Sequence, residues 1–243
     1  MNARVVAVIQ ARMGSTRLPG KVLRELDGRP VLDWVVSAAL SAREVDDVVV
    51  ATSALTADDP IAAWGRERGV GVVRGSDSDV LSRFALAAAE TRADAVVRLT
   101  ADCPLLDAVL IDQVIAVWRG DPGLGYVATT LNRTLPRGLD VELVSREVLD
   151  EMDRTAVGYD RIHVTSRAYS VDSVVPRAGI IVAPASSHLR VTLDVEEDAA
   201  LLDALVPLLP RPPRWRDVVR ILEAHAELVA LNAGVAQKRI EEG

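Results

Sequence analysis

The sequence predicts an α/β fold, a mostly parallel sheet covered by helices on both faces. Three observations carry that prediction. Strand-like and helix-like segments alternate along the first half of the chain. The first apolar run, Val5–Ile9 (VVAVI), reads as a strand buried on both faces. That run breaks directly into a loop, QARMGSTRLPGK, which holds two glycines, two hydroxyls and three cations.

Each later element has its own signal. Pro30–Leu40 (PVLDWVVSAAL) suits a first helix, with proline at its first turn. Val45–Thr52 reads as a second strand. Asp58, Asp59 and Pro60 then offer a cap and an early proline for a helix running to about Arg68. Val70–Val73 is a short third strand, Asp79–Thr91 a third helix with Asp79 as its cap, and Ala95–Leu99 a fourth strand. Asp107–Trp118 follows as a helix. Beyond Gly120 the rhythm changes. Tyr126–Thr130 and Leu139–Val144 read as strands, and Arg146–Asp153 and Tyr159–Arg167 as helices. Val171–Val175 and Gly179–Val182 read as paired strands around Pro176. Residues 131–189 are expected to form an inserted subdomain over the sheet edge, where a second substrate would sit. Arg190–Leu193 is expected to rejoin the main sheet. Helices at Glu196–Leu205 and Trp215–Leu231 close a single domain spanning 1–243, with a frayed tail after Asn232.

Composition narrows the function. The 243 residues are 49% apolar and 26% charged, ordinary values for one globular core. The net charge of −7 argues against a nucleic-acid partner, so any anion site must be locally basic. A lone cysteine, Cys103, leaves no internal disulfide and fits a reducing compartment. No leader precedes Val5 and no apolar run is long enough to span a bilayer, so a soluble cytoplasmic protein is expected.

The loop after the first strand is built for phosphate. Glycines 14 and 20 let the backbone bend and let a polyanion approach its N–H groups. Arg12 and Arg17 offer forked donors and Lys21 a compact charge. The Walker pattern G-x-x-x-x-G-K-[ST] is absent, which argues against a P-loop ATPase. Thr100-Ala-Asp-Cys-Pro104 lies past the carboxyl end of the fourth strand, the edge at which open α/β sheets bind ligands. Asp102 there is a hard oxygen donor suited to Mg²⁺.

The loop resembles the signature of the cytidylyltransferases that activate sugar acids, the CMP-Kdo and CMP-sialic acid synthetases, and most of all the spore coat polysaccharide biosynthesis protein F group. The resemblance implies a Rossmann-like nucleotidyltransferase fold of the GT-A-like, three-layer kind. It also implies that the loop wraps the triphosphate of CTP, with Arg12, Ser15 and Lys21 on the phosphates, Arg17 a weaker candidate there, and Gln10, Ala11 and Gly14 among the nucleotide contacts. Ala51-Thr-Ser53 and the segment Arg74–Arg83 resemble the family's "ATS" and "RGSxxDVLxRF" elements, making Thr52, Ser53, Gly75, Ser76 and Arg83 nucleoside contacts. Cys103 falls on a variable position of the D-x-P element and reads as a small filler.

Asp194, in RVTLDVEED, resembles the family aspartate that joins Asp102 at the metal. Glu196 stands where the family has proline, and the following acids also suit a helix N-terminus. Pro136–Glu142 resembles the "PxGLDVE" segment placed over the acceptor. On an alternating strand Asp140 and Glu142 would share one face, ready to accept bonds from sugar hydroxyls; an exposed polar strand face reads equally well from spacing alone. Arg161–Thr165 resembles "REHVT", with Ile162 in place of glutamate. Arg137, Asp140, Glu142, His163 and Arg167 are thus the acceptor candidates, while His163 also reads as a packed structural histidine.

The expected activity is Mg²⁺-dependent transfer of CMP from CTP to a nonulosonic or Kdo-like sugar acid, releasing pyrophosphate. Arg12, Lys21 and Asp102 would be its catalytic residues, and Asp102 and Asp194 would hold the metal. Lys21 and Arg12 are both expected to be exposed. The resemblance also implies a homodimer. Alternative acceptors are a phosphonate, phosphate or alcohol. A glycosyltransferase would want a D-x-D motif where this chain has Asp102-Cys-Pro, and a CTP-binding protein without turnover is the other class kept open.

Overall fold

The computed structural model describes residues 3–121 and 123–236. Among them a seven-stranded sheet runs through the centre. Its strands are β1 (Val5–Gln10), β4 (Asp47–Ser53), β5 (Gly71–Gly75), β6 (Ala95–Thr100), β7 (Tyr126–Ala128), β8 (Glu142–Ser145) and β9 (Arg177–Gly179); β2 (Glu25–Leu26) and β3 (Arg29–Pro30) form a separate small hairpin. The spatial order is β5-β4-β1-β6-β8-β7-β9, and β8 alone runs against its neighbours. β1, β4, β5 and β6 therefore deliver their carboxyl ends to one edge, and β8 delivers its beginning there.

Alternation along each strand feeds two cores. Val5, Ala7 and Ile9 of β1, with Val97 and Leu99 of β6, face α1 (Val31–Ser41), α4 (Ala108–Gly120), α8 (Glu196–Leu205) and α9 (Trp215–Ala224). Val6 and Val8, with Val96 and Val144, face α3 (Val80–Thr91) and α5 (Arg146–Thr155). α2 (Asp59–Arg68) ends on Gly69, whose φ of +66° suits a residue without Cβ. Asp79 and Asp107 cap α3 and α4 by accepting from Ser82 N–H and Val109 N–H, as their positions predict. No helix among the described residues is long and apolar enough to cross a membrane.

Several elements differ from expectation for local reasons. Val171–Val175 forms no strand: Val171 and Val174 project into solvent, and Arg177–Gly179 takes the place beside β7. Tyr159–Arg167 is not one helix. It divides into α6 (Tyr159–Ile162) and α7 (Ser166–Tyr169), because Val164 and Thr165 turn inward and are buried. Arg190–Leu193 does not rejoin the sheet. It makes a single parallel bridge between Arg190 and Arg137, after which Gly138 (φ +102°) turns the partner chain away. The final helix breaks at His225 into α9 and α10 (Ala226–Ala230), and the break brings Leu228 into the core that Leu222 occupies. Of the tail expected to fray, residues 237–243 lie outside the described residues.

Candidate active site

The phosphate-type loop leaves β1 at the shared edge and is pinned at several points. Gly20, in the left-handed region at φ +71°, lets the chain fold back so that its N–H donates to Met13 O. Met13 N–H donates to Asp58 Oδ1, and the other oxygen of Asp58 accepts from the N–H and hydroxyl of Ser53. Asp58 was expected to cap α2. Its carboxylate instead ties the loop to the end of β4. Burial would raise this carboxyl, but those hydrogen bonds outweigh burial and hold it below its usual range. Among the described residues, the N–H groups of Arg12, Gly14, Thr16 and Arg17 meet no acceptor and remain available to an anion.

Lys21 is not the exposed loop cation expected. It is 9% exposed, and its Nζ donates to Asp102 Oδ2 and to Asp194 Oδ1, each at 2.6 Å. The two aspartates thus meet across one ammonium. Burial would lower the Lys21 pKa, but the two carboxylates outweigh it and raise the value above the usual one. Asp194 also receives Arg17 at 3.2 Å and Arg190 at 3.0 Å, and these cations with Lys21 overcome its burial to hold it below the usual carboxylate range. Arg190 is in turn paired with Asp198, which is fully buried and accepts from the backbone N–H of Asp194 and Val195. Asp198 thereby fixes the turn that carries Asp194. Arg12 is exposed and pairs with no carboxylate among the described residues.

The nucleoside candidates divide. Thr52 and Ser53 are fully buried and Ser53 is bonded to Asp58, so they shape the floor rather than the surface. Arg83 is 2% exposed and donates to Ser76 O beneath Gly75, where an added Cβ would come within 2.9 Å of Arg83 Cγ. Burial lowers its pKa, with Arg12 also close enough to act in the same direction. Ser76 remains exposed, accepting from Asp79 N–H.

The acceptor candidates separate into three places. Arg137 is half-buried near Asp194, and burial followed by Arg133 lowers its pKa. Asp140 is held by both terminal nitrogens of Arg133, at 2.6 and 3.0 Å. Glu142 does not share an open face with Asp140. It is 5% exposed, ion-paired with Arg98, and accepts from Tyr126 OH and from Thr165 Oγ1 at 2.8 Å. His163 stacks on Tyr159 with ring centroids 4.2 Å apart, and its buried Nε2 has no partner. Arg167 is elsewhere: it is exposed, donates to Thr155 Oγ1 and lines a groove with Glu147 and Glu151 of α5.

Residues 6–132 match the cytidylyltransferase family, just over half of the chain. The chain belongs to the cytidylyltransferases. Spore coat polysaccharide biosynthesis protein SpsF of Bacillus subtilis is 34% identical over 83% of this chain and 85% of its own length. The 3-deoxy-manno-octulosonate cytidylyltransferase of Bdellovibrio bacteriovorus is 38% identical over 49% of this chain and 47% of its own. The structure of a cytidylyltransferase from Leptospira borgpetersenii serovar Hardjo-bovis superposes with a TM-score of 0.90 at 26% identity, covering 98% of this chain and all of the other. The α/β nucleotidyltransferase fold expected from the sequence is thus the one observed, and the protein is a nucleotidyltransferase.

In this cytidylyltransferase, sequence reasoning missed Asp58, Arg98, Arg190 and Asp198. Arg98 carried a signal, as the one charge inside the apolar strand AVVRL. The 190/194/198 spacing of Arg, Asp and Asp was likewise visible. Cys103 is a buried free thiol whose pKa is pushed well up, first by burial and then by Asp102, which suits a filler and not a nucleophile. The pair Asp102 and Asp194 fits a divalent cation: both point hard oxygens at one position, already cationic through Lys21. Mg²⁺ commonly takes one or two carboxylates and completes its shell with phosphate oxygens and water, so no third protein ligand is needed. None gathers there among the described residues.

Proposed function

We propose that the protein transfers CMP from CTP to a sugar acid. The observation that carries this reading is Lys21 Nζ bridging Asp102 and Asp194 beneath the phosphate-type loop. The acceptor hydroxyl gives its proton to solvent water as its oxygen forms a bond to the α-phosphorus, while the bond from that phosphorus to the α,β-bridging oxygen breaks and pyrophosphate leaves. Arg12 and the unpartnered N–H groups of the loop hold the β- and γ-phosphates, and Lys21 adds charge at the leaving group. Arg17 and Arg190 keep Asp194 ionised and fixed. Asp102 and Asp194 would hold Mg²⁺, which would supply neutralisation of the triphosphate charge.

Gly75, Ser76 and Arg83 frame the nucleoside from β5 and α3, with Thr52 and Ser53 as the floor beneath it. Arg137 and Asp140 face the acceptor from the segment leading to β8, and residues 131–189 supply this side of the cleft. The names of the SpsF and octulosonate relatives support an acidic sugar destined for a polysaccharide. Pyrophosphate release, measured with each of the four NTPs against 3-deoxy-manno-octulosonate, sialic acids and related acids, tests the reading. Release is expected with CTP alone, only with Mg²⁺ and only with an acid present. Acceptor-independent release, or none with CTP, would overturn it.

A further inference from the structure

The sheet face under α3 and α5 is apolar along most of its length, with Val6, Val8, Val96 and Val144 in the core. At the edge that carries the phosphate-type loop the same face turns polar. Arg98 stands directly across from Glu142 on β8 and from Val8 on β1. Its Nε donates to Gln10 Oε1 at 3.1 Å, and Gln10 is the last residue before the loop. Its Nη1 pairs with Glu142. Among the described residues Nη2 meets no acceptor.

A half-buried arginine paired with one carboxylate, as Arg98 is, is ordinarily a neutral structural unit. Here Glu142 does not depend on Arg98 alone, because Tyr126 and Thr165 also donate to it. Its charge is shared among three donors, and part of the guanidinium's capacity is left over. Close by, His163 Nε2 is buried without a partner, an arrangement costly enough to ask for a ligand. Burial, and then the charge of Arg98, hold this imidazole below its usual pKa.

We infer that the free edge of Arg98, together with His163 Nε2, seats the carboxylate of the acceptor and is what selects acids over neutral sugars. The inference rests on the cytidylyltransfer reading and deepens it. Gln10 positions Arg98 from the phosphate side and Glu142 from the acceptor side, so the anion is held beside the place where CTP lies. Arg98 thus sets specificity, and Glu142 is a positioning residue that acts through it.

The test compares a sugar acid, 3-deoxy-manno-octulosonate or sialic acid, with its methyl ester in the pyrophosphate-release assay. The wild type is expected to favour acid over ester by about a hundredfold in kcat/KM, as a lost bond to a charged group implies. Arg98→Lys shrinks that preference at least tenfold through acceptor KM, with the KM for CTP unchanged. If Arg98→Lys disturbs the fold, the double variant Arg98→Met, Glu142→Gln leaves no buried charge unpaired and is expected to lose the preference too. Arg167→Ala, at an exposed side chain bonded to Thr155 instead, keeps it. Pyrophosphate release with undiminished preference in both Arg98 variants overturns this inference alone. No release by the wild type with any acid overturns it together with the reading beneath it.

Discussion

Replacing Lys21 with methionine removes the ammonium between Asp102 and Asp194 and keeps most of the side-chain volume. Each contact is 2.6 Å long, which at an effective dielectric of about 20 is roughly 6 kcal/mol of attraction before desolvation. Desolvation of the lysine cancels much of that, and losing one partner of a buried pair costs about 3–5 kcal/mol. Asp194 retains Arg17 and Arg190, and Asp102 is partly open to water, so about 2–3 kcal/mol is the expected loss. For a chain of this size that is a fall in Tm of about 5–10 °C. Mg²⁺ offers the two carboxylates a substitute cation, so millimolar Mg²⁺ is expected to raise the Tm of Lys21→Met more than that of the wild type. Turnover still falls about a hundredfold or more, since the metal does not restore the lysine at the leaving group. Melting curves with Mg²⁺ or EDTA, together with kcat, check both halves. A variant that melts like the wild type and ignores Mg²⁺ would refute the shared cation position. The raised Lys21 pKa makes its stabilisation complete below about pH 10.4, the unfolded value, and lost as pH rises through the folded one.

Asp58→Asn is expected to loosen the loop, raising the KM for CTP about tenfold while leaving acceptor KM unchanged; equal effects on both substrates would count against a loop anchor. Because the Asp58 carboxyl is depressed, its stabilisation is full above about pH 3.9 and disappears as pH falls through the folded value, which acid unfolding of wild type and variant will resolve. Glu142→Ala leaves the half-buried Arg98 without its carboxylate, and urea unfolding should show a loss of about 3–5 kcal/mol; a loss under 1 kcal/mol would mean that Glu142 faces solvent. At Gly138 an added Cβ would lie 2.5 Å from Thr192 N at a φ of +102°, so Gly138→Ala should cost about 2–4 kcal/mol and separate Arg137 from Arg190, as hydrogen exchange at Val191 N–H would report.

The alternation of elements was legible because each core-facing strand is a short apolar run bounded by turn residues, as in Val5–Ile9. The loop after β1 was legible from its cations and glycines. What escaped was whatever depends on a distant partner. Nothing near Lys21 in the sequence announces that it is buried, since the two carboxylates that bury it arrive from other elements. Asp58 looked like a helix cap because a cap is the local use of that residue; Met13 N–H is the non-local one. Thr52 and Ser53 end a strand at the ligand edge, yet lie under the loop that covers them. Val171–Val175 has the composition of a strand but found no free sheet edge, the place beside β7 being filled by β9.

The two bonds made by Lys21 close stretches of 81 and 173 residues. Contacts of such long separation form late, after the chain between them has been ordered. During synthesis the loop emerges first and its last partner, Asp194, emerges 173 residues after Lys21, with Asp198 needed four residues later to fix Asp194. A nascent or truncated chain ending before that turn carries the whole recognisable loop and still lacks the Asp194 side of the Lys21 bridge. The Lys21 bridge is therefore assembled only once residues 194–198 have been made, and a stalled product that lacks them leaves the Lys21 ammonium without its second carboxylate.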